Sequence, residues 1–430
     1  MRAYVFASLI RNALTLNGYH VKQTQNFTDV GHLTSDSDSG EDKLQKAAAK
    51  QRKSAWEIAK QFIDFYFTQH DLLGLPRAEH YPLATDYISE QIEMVEALEK
   101  EGFTYTISDG VYFDTAKFER YGELAKLDIE GLSEGIRVSN SEKRNKTDFA
   151  LWKFSPKDEQ RDMEWDSPWG LGFPGWHIEC SAMAKATLGD QIDIHTGGID
   201  HIHVHHSAEI AQSEALCNQP FSKFWMHVNF LQIEAEPDAV LADEEKKMSK
   251  SKGNVITVDA LIEKGYSPMA LKYLYYTAHY SRELKFSMKA MDSAQKTLMG
   301  LYKKSYEIRQ RASIADVSDT YDEMGNAFNL NLNTPVVIAH LHEGLASREL
   351  SDSQKLGLLD LAEQMLGLGL LDYMPETVDV PSNINQIAEK RIIAKQNKDW
   401  ALADKLRDDA LSKGYRIIDT GSDMFEIEVK

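Results

Sequence analysis

The chain has little cysteine: Cys180 and Cys217 are the only two in 430 residues. So few thiols exclude a disulfide-stapled scaffold and fit a reducing cytoplasm, which is the expected location. Long hydrophobic runs are absent too, since no stretch of about eighteen apolar residues occurs, and no membrane partner is expected. Met1–Ile10 superficially imitates a secretory leader, but Arg11 and Asn12 interrupt it and no small-residue cleavage site follows. Its apolar pairs Val5/Phe6, Leu9/Ile10 and Ala13/Leu14 recur every four residues, as on one face of a helix. Positive charge is in the minority, 48 Lys and Arg against 67 Asp and Glu, for a net charge of −19. That argues against non-specific nucleic-acid binding, but not against one shaped RNA docked through local basic patches.

What is present is ordinary globular sequence, long enough for about two to four units. A helix over 1–18 ends near Asn17-Gly18, and imperfect alternation predicts a strand over 19–28. The polar stretch 34–42 reads as a solvated loop, and helical periodicity returns over 43–70. A helix near 86–101 and strands over 104–108 and 111–113 form a mixed segment. A further strand is expected at 227–234. Helices are expected over 258–275, 287–311, 327–347 and 354–369. Pro375 and Pro381 mark a linker, beyond which 383–430 reads as helix, loop and strand. A helix that opens a chain and leads into a strand is the second half of a βαβ unit, so a preceding strand is expected.

The most specific string is Lys247-Met248-Ser249-Lys250-Ser251-Lys252-Gly253-Asn254. Lysines set among serines and followed by Gly-Asn make a cationic loop able to neutralise phosphoryl oxygens during transfer. Dense Trp, Gly, His and Cys fill 165–215, notably Gly175-Trp176-His177-Ile178-Glu179-Cys180, Asp193-Ile194-His195-Thr196-Gly197-Gly198-Ile199-Asp200, and His205-His206 through Glu209. With the lysine loop and a Lys398-Asp399-Trp400 tail, these strings make the chain resemble the cysteinyl-tRNA synthetases, a class I aminoacyl-tRNA synthetase family.

The resemblance implies an α/β fold. A Rossmann-like parallel-sheet catalytic domain, lacking its first strand, would carry an insertion and be followed by a helical bundle and a small mixed anticodon-binding unit. The implied boundaries are 1–77 and 146–238 for the catalytic halves and 78–145 for the insertion. The signature-loop region would span 239–290, the bundle 291–376 and the anticodon tail 377–430. It implies ligation of L-cysteine to tRNA(Cys) through a cysteinyl-adenylate, with ATP, Mg²⁺ and Zn²⁺, by a monomer.

Cys180, His205 and Glu209 are the implied zinc ligands. His205 and Glu209 stand i, i+4, on one face of a helix, and a thiol, an imidazole and a carboxylate make a zinc-compatible set. Thr28 and Trp176 are implied for the amino-acid pocket, Gly197, Gly198, Asp200 and Lys250 for ATP, and Lys247 and Lys250 for catalysis. His195, His201 and His203 are read as satisfied surface or core residues, and Cys217 as a buried structural thiol.

The family carries a further cysteine and a His-Ile-Gly-His-type loop ahead of the opening helix, and neither is in this sequence. The expectation is that Met1 is an internal methionine of a longer reading frame. A truncated or inactive paralogue that binds tRNA or cysteine stays open, as does the mycothiol-pathway cysteine ligase, which would need no anticodon tail.

Overall fold

The computed structural model describes residues 1–31, 43–127, 142–156, 161–217, 219–233, 256–312, 314–316, 322–375, 380–419 and 425–429. The acidic stretch 34–42 and the loop bearing Lys247 and Lys250 lie outside them. Two compact units divide the chain, Met1–Leu371 and Asp372–Lys430.

The first unit opens with α1 (Arg2–Leu16), which buries Val5, Phe6, Leu9 and Ile10. The buried Arg2 guanidinium donates to the carbonyls of Asn229 and Phe230, both at 2.7 Å, and of Arg282 at 2.8 Å. The segment expected as a strand over 19–28 makes single parallel bridges, Thr24 with His80 and Phe27 with Leu83. Its alternation is imperfect, and Phe27 packs instead among the rings of Tyr66, Phe67 and Tyr81.

Helices α2 (Lys43–Gln51) and α3 (Ala55–Leu72) follow, and Ser54 with Glu57 closes a capping box at the start of α3. After α4 (Ile88–Lys100) comes an antiparallel sheet of β1 (Thr104–Ile107), β2 (Gly110–Phe113), β3 (Phe149–Phe154) and β4 (Gly172–Pro174), in that order. The sheet thus runs past residue 145, where the sequence reading ends the insertion. Ladder pairing of β2 with β3 decides this, and no local periodicity reports it.

Helix α5 (Trp176–Leu188) leads to β5 (Ile192–Gly198), a π-helical turn (Ile202–His206), α6 (Ser207–Cys217) and β6 (Ser222–Val228). β5 and β6 pair in parallel with α6 as the crossover, setting His195 opposite Trp225 and Gly197 opposite His227. The single strand expected over 227–234 is two: β6 stops at Val228, and β7 (Leu231–Ile233) pairs in parallel with β8 (Leu284–Phe286). The break falls where Asn229 donates its amide to the Tyr280 carbonyl and Arg2 takes the carbonyls of Asn229 and Phe230.

The helical pattern over 258–275 is likewise interrupted, giving α7 (Val258–Glu263) and α8 (Pro268–Tyr276). Gly265 at φ +86° and the helix-starting Pro268 cause it. Then come α9 (Met288–Arg311), α10 (Asp322–Asn329), α11 (Thr334–Ala346) and α12 (Asp352–Leu366). The pattern over 327–347 splits because Asn331 and Leu332 both take positive φ.

The second unit holds α13 (Ser382–Gln396), α14 (Trp400–Ser412) and an antiparallel hairpin of β9 (Tyr415–Asp419) with β10 (Phe425–Val429). Ile384, Ile387, Ala388, Ala410 and Ile417 form its core. The last strand, β10, is one the sequence reading does not anticipate. Among the described residues no helix is long and apolar enough to cross a membrane.

Candidate active site and metal centre

Three elements of the first unit bring the site together. Helix α5, opening at Gly175, carries Trp176, His177, Glu179 and Cys180. Strand β5 carries His195 and ends in Gly197-Gly198, and the carboxyl ends of parallel strands are where α/β folds place ligands. The π-helical turn and α6 carry His205, His206 and Glu209. The sequence reading treats His205 and Glu209 as neighbours on one regular helix. The π turn instead presents both His205 and His206 to Glu209 from the turn before it, a local irregularity common at functional sites.

One ligand atom each from Cys180, His205 and Glu209 falls within a cluster no wider than 4.8 Å. His205 Nε2 lies 3.8 Å from Glu209 Oε1. Asn26 donates its side-chain amide to the Cys180 sulfur at 3.0 Å. The His205 ring is anchored from behind, its Nδ1 2.9 Å from Nδ1 of His177, and the Trp176 ring lies 4.7 Å from it, centroid to centroid.

Electrostatics at this cluster call for a cation. Burial, then the Glu209 and Glu179 carboxylates, push the Cys180 thiol well above its usual range. Burial also pushes the His205 imidazole far down, so the ring stays neutral as a metal ligand must be. Burial works to raise the Glu209 carboxyl, but His195 beside it outweighs burial and leaves it below its ordinary value. Glu209 is wholly buried, and neither of its oxygens accepts an aligned hydrogen bond among the described residues. A buried ionised carboxylate without such bonds is costly unless a cation meets it, and that cation would also lower the Cys180 thiol. The residues therefore fit zinc, with a place left for a further ligand.

The two glycines that end β5 leave little room for a side chain. A Cβ on Gly197 would stand 2.6–2.7 Å from the His206 ring, and one on Gly198 would stand 2.3 Å from Asp200 Oδ1. This chain's own imidazole and carboxylate occupy those spaces. Thr28 stands on the extended segment that also carries Asn26.

His195, read from sequence as ordinary packing, has its Nε2 3.3 Å from Glu209 Oε2. His206 Nε2 is 3.8 Å from the same oxygen. His177, His227 and Asn26 were also missed; the His-x-Gly-Gly strand end and the His-His doublet were the available signals. Cys217 is partly rather than fully buried, and it faces Asp190 and Lys185.

A family model for "tRNA synthetases class I (C) catalytic domain" matches residues 1–296. The chain is 43% identical over 421 residues to Cysteine–tRNA ligase 1 of Burkholderia lata, covering 98% of this chain and 87% of that protein. It is 36% identical to the Cysteine–tRNA ligase of Treponema denticola, over 97% of this chain and 89% of that one. Among solved structures, Mycobacterium tuberculosis methionyl-tRNA synthetase in complex with methionyl-adenylate is similar in fold at a TM-score of 0.54. That match covers 87% of this chain and 88% of the other at 13% identity.

Proposed function

The chain belongs to the class I cysteinyl-tRNA synthetase family, and from that membership we propose that it ligates L-cysteine to tRNA(Cys) using ATP. The convergence of Cys180, His205 and Glu209 carries the specificity for cysteine. These three side chains would hold zinc, which would supply a Lewis acid that takes a thiolate in preference to a hydroxyl. An apolar pocket alone separates substrates differing by a methylene only about 10–200-fold, so metal–sulfur selection removes the need for an editing site.

Trp176, lying against His205, gives the small amino acid a flat wall, and Thr28 completes that pocket. In the first step a carboxylate oxygen of cysteine attacks the α-phosphorus of ATP. The bond from that phosphorus to the bridging oxygen breaks, and pyrophosphate leaves with its charge countered by the ammonium groups of Lys247 and Lys250, to which Mg²⁺ accompanying ATP would add. Asp200, with the backbone at Gly197-Gly198, orients the ATP ribose. In the second step a hydroxyl of the terminal tRNA ribose attacks the cysteinyl carbonyl carbon and AMP departs. The unit from Asp372 onward would read the anticodon, and a cytoplasmic monomer is the form proposed.

Cysteine-dependent exchange of pyrophosphate into ATP, and charging of tRNA(Cys) with labelled cysteine, test this. Cys180→Ser is expected to lower kcat/KM for cysteine at least about 100-fold and to narrow its margin over serine. Unchanged discrimination between cysteine and serine in that variant would overturn the role of the cluster. Exchange without tRNA charging would overturn the acceptor.

A further inference from the structure

Gln69 stands in the last turn of α3 and is 2% exposed. Its side-chain amide reaches residues 189 and 190 positions further along the chain. Oε1 accepts from the backbone N–H of Val258 at 2.8 Å, and Nε2 donates to Asp259 Oδ2 at 2.7 Å. Val258 and Asp259 open α7, the helix that follows the lysine string in sequence. We propose that Gln69 is a positioning residue for Lys247 and Lys250, fixing the helix start to which their segment of chain leads. This role rests on the proposed use of those lysines on ATP.

A helix start leaves its first N–H groups without intrahelical partners. Thr257 caps α7 by accepting from the Ala260 N–H at 3.1 Å, so the Val258 N–H is satisfied from elsewhere. Val258 is 1% exposed, and a buried donor without a partner is costly. Gln69 supplies that partner from a different helix.

The two contacts have opposite polarity, an N–H and a carboxylate, and together they fix the amide in one orientation. Glutamate in its place would accept from Val258 but set a second carboxylate against Asp259. Leucine would serve neither partner. Asp259 lies in the first turn of α7, where the helix dipole favours negative charge, and Gln69 fixes where that charge sits.

The chain is also held ahead of the lysine string. β7 pairs in parallel with β8, and just before β7 the carbonyls of Asn229 and Phe230 accept from the buried Arg2 guanidinium. The sequence between Ile233 and Ile256 carries both lysines. Helices α1 and α3 thus anchor the two points between which it runs. A displacement of about 1 Å, caused far from the chemistry, costs up to about 100-fold in rate. Gln69 carries no charge, so replacing it strands no buried ion, and it is the better of the two anchors to test.

The test is cysteine-dependent pyrophosphate exchange by the full chain. Gln69→Leu should lower kcat about 10–100-fold and leave KM for cysteine and zinc content unchanged. In a Lys250→Ala background the same change should cost little more, because both substitutions act through one group. Gln69→Glu should also lower kcat, and adding Asp259→Asn should restore it: the new carboxylate takes the Val258 N–H and the new amide donates to that carboxylate. This exchanged pair decides the matter if Gln69→Leu does not fold. Full activity in Gln69→Leu, an equal loss with and without Lys250, or a loss that the exchanged pair does not reverse overturns the proposal and leaves Gln69 as a packing amide. No exchange by the unsubstituted chain, or exchange undiminished by Lys250→Ala, overturns the proposed use of the lysines and this role with it, a failure distinct from that of Gln69 alone.

Discussion

His177 and His205, 28 residues apart in sequence, meet ring to ring with their Nδ1 atoms 2.9 Å apart. For Nε2 of His205 to present a lone pair toward Glu209, its Nδ1 must carry the proton, and His177 Nδ1 must accept it. His177 therefore fixes the tautomer of a ligand it does not join in binding. His177→Phe keeps a ring of similar size and removes the acceptor. Zinc affinity should fall about 10–100-fold in competition with a coloured chelator, and an unchanged affinity would remove His177 from the site.

Gly197 is limited by His206. Gly197→Ala places a methyl group 2.6 Å from the imidazole carbon Cε1, so the ring must shift. Overpacking of this kind costs about 1–3 kcal/mol, to be read as a lower urea midpoint. The same variant should also weaken metal retention, because the displaced ring faces Glu209. Wild-type stability would show that the ring yields freely.

Lys272 gives a pH signature away from the site. It is 2% exposed, donates to the Gly367 carbonyl at 2.6 Å, and is pushed down to about 8 by burial. An unfolded lysine titrates near 10.4, so between about pH 8 and 10.4 the unfolded chain holds more protons on this residue. Its contribution to stability therefore rises across that window and is lost as pH falls through 8. Lys272→Met should flatten the rise, compared with wild type by denaturant unfolding at several pH values. Parallel curves for the two proteins would show that Lys272 does not titrate differently on folding.

Lys250→Ala should lower cysteine-dependent pyrophosphate exchange by about 10²–10³-fold, the scale of losing one transition-state charge partner. Zinc content should stay unchanged, since this lysine is assigned to phosphate and not to metal. Steady-state exchange with metal analysis on the same sample checks both halves.

Much of this was legible in local sequence. Helix α1 follows from pairs recurring every four residues, and strands β1 and β2 lie on the two short runs expected as strands over 104–108 and 111–113. Interruptions were harder to read. Gly265 with Pro268, and the positive φ at Asn331 and Leu332, divide helices that apolar periodicity runs together. β3 and β4 join the sheet of the insertion through ladder hydrogen bonds to distant partners, which a periodic signal does not contain.

The sequence by itself determined the family, and with it the residue types for sulfur, imidazole and carboxylate chemistry, because specific strings such as Trp176–Cys180 and His205–Glu209 carry that information in their order. Only the tertiary structure decided that His195 stands with these groups, and that each Glu209 oxygen faces a different set of histidines. A π-helical turn and the parallel pairing of β5 with β6 set those directions. Side-chain direction at such places depends on backbone geometry and strand register, which spacing along the chain does not specify.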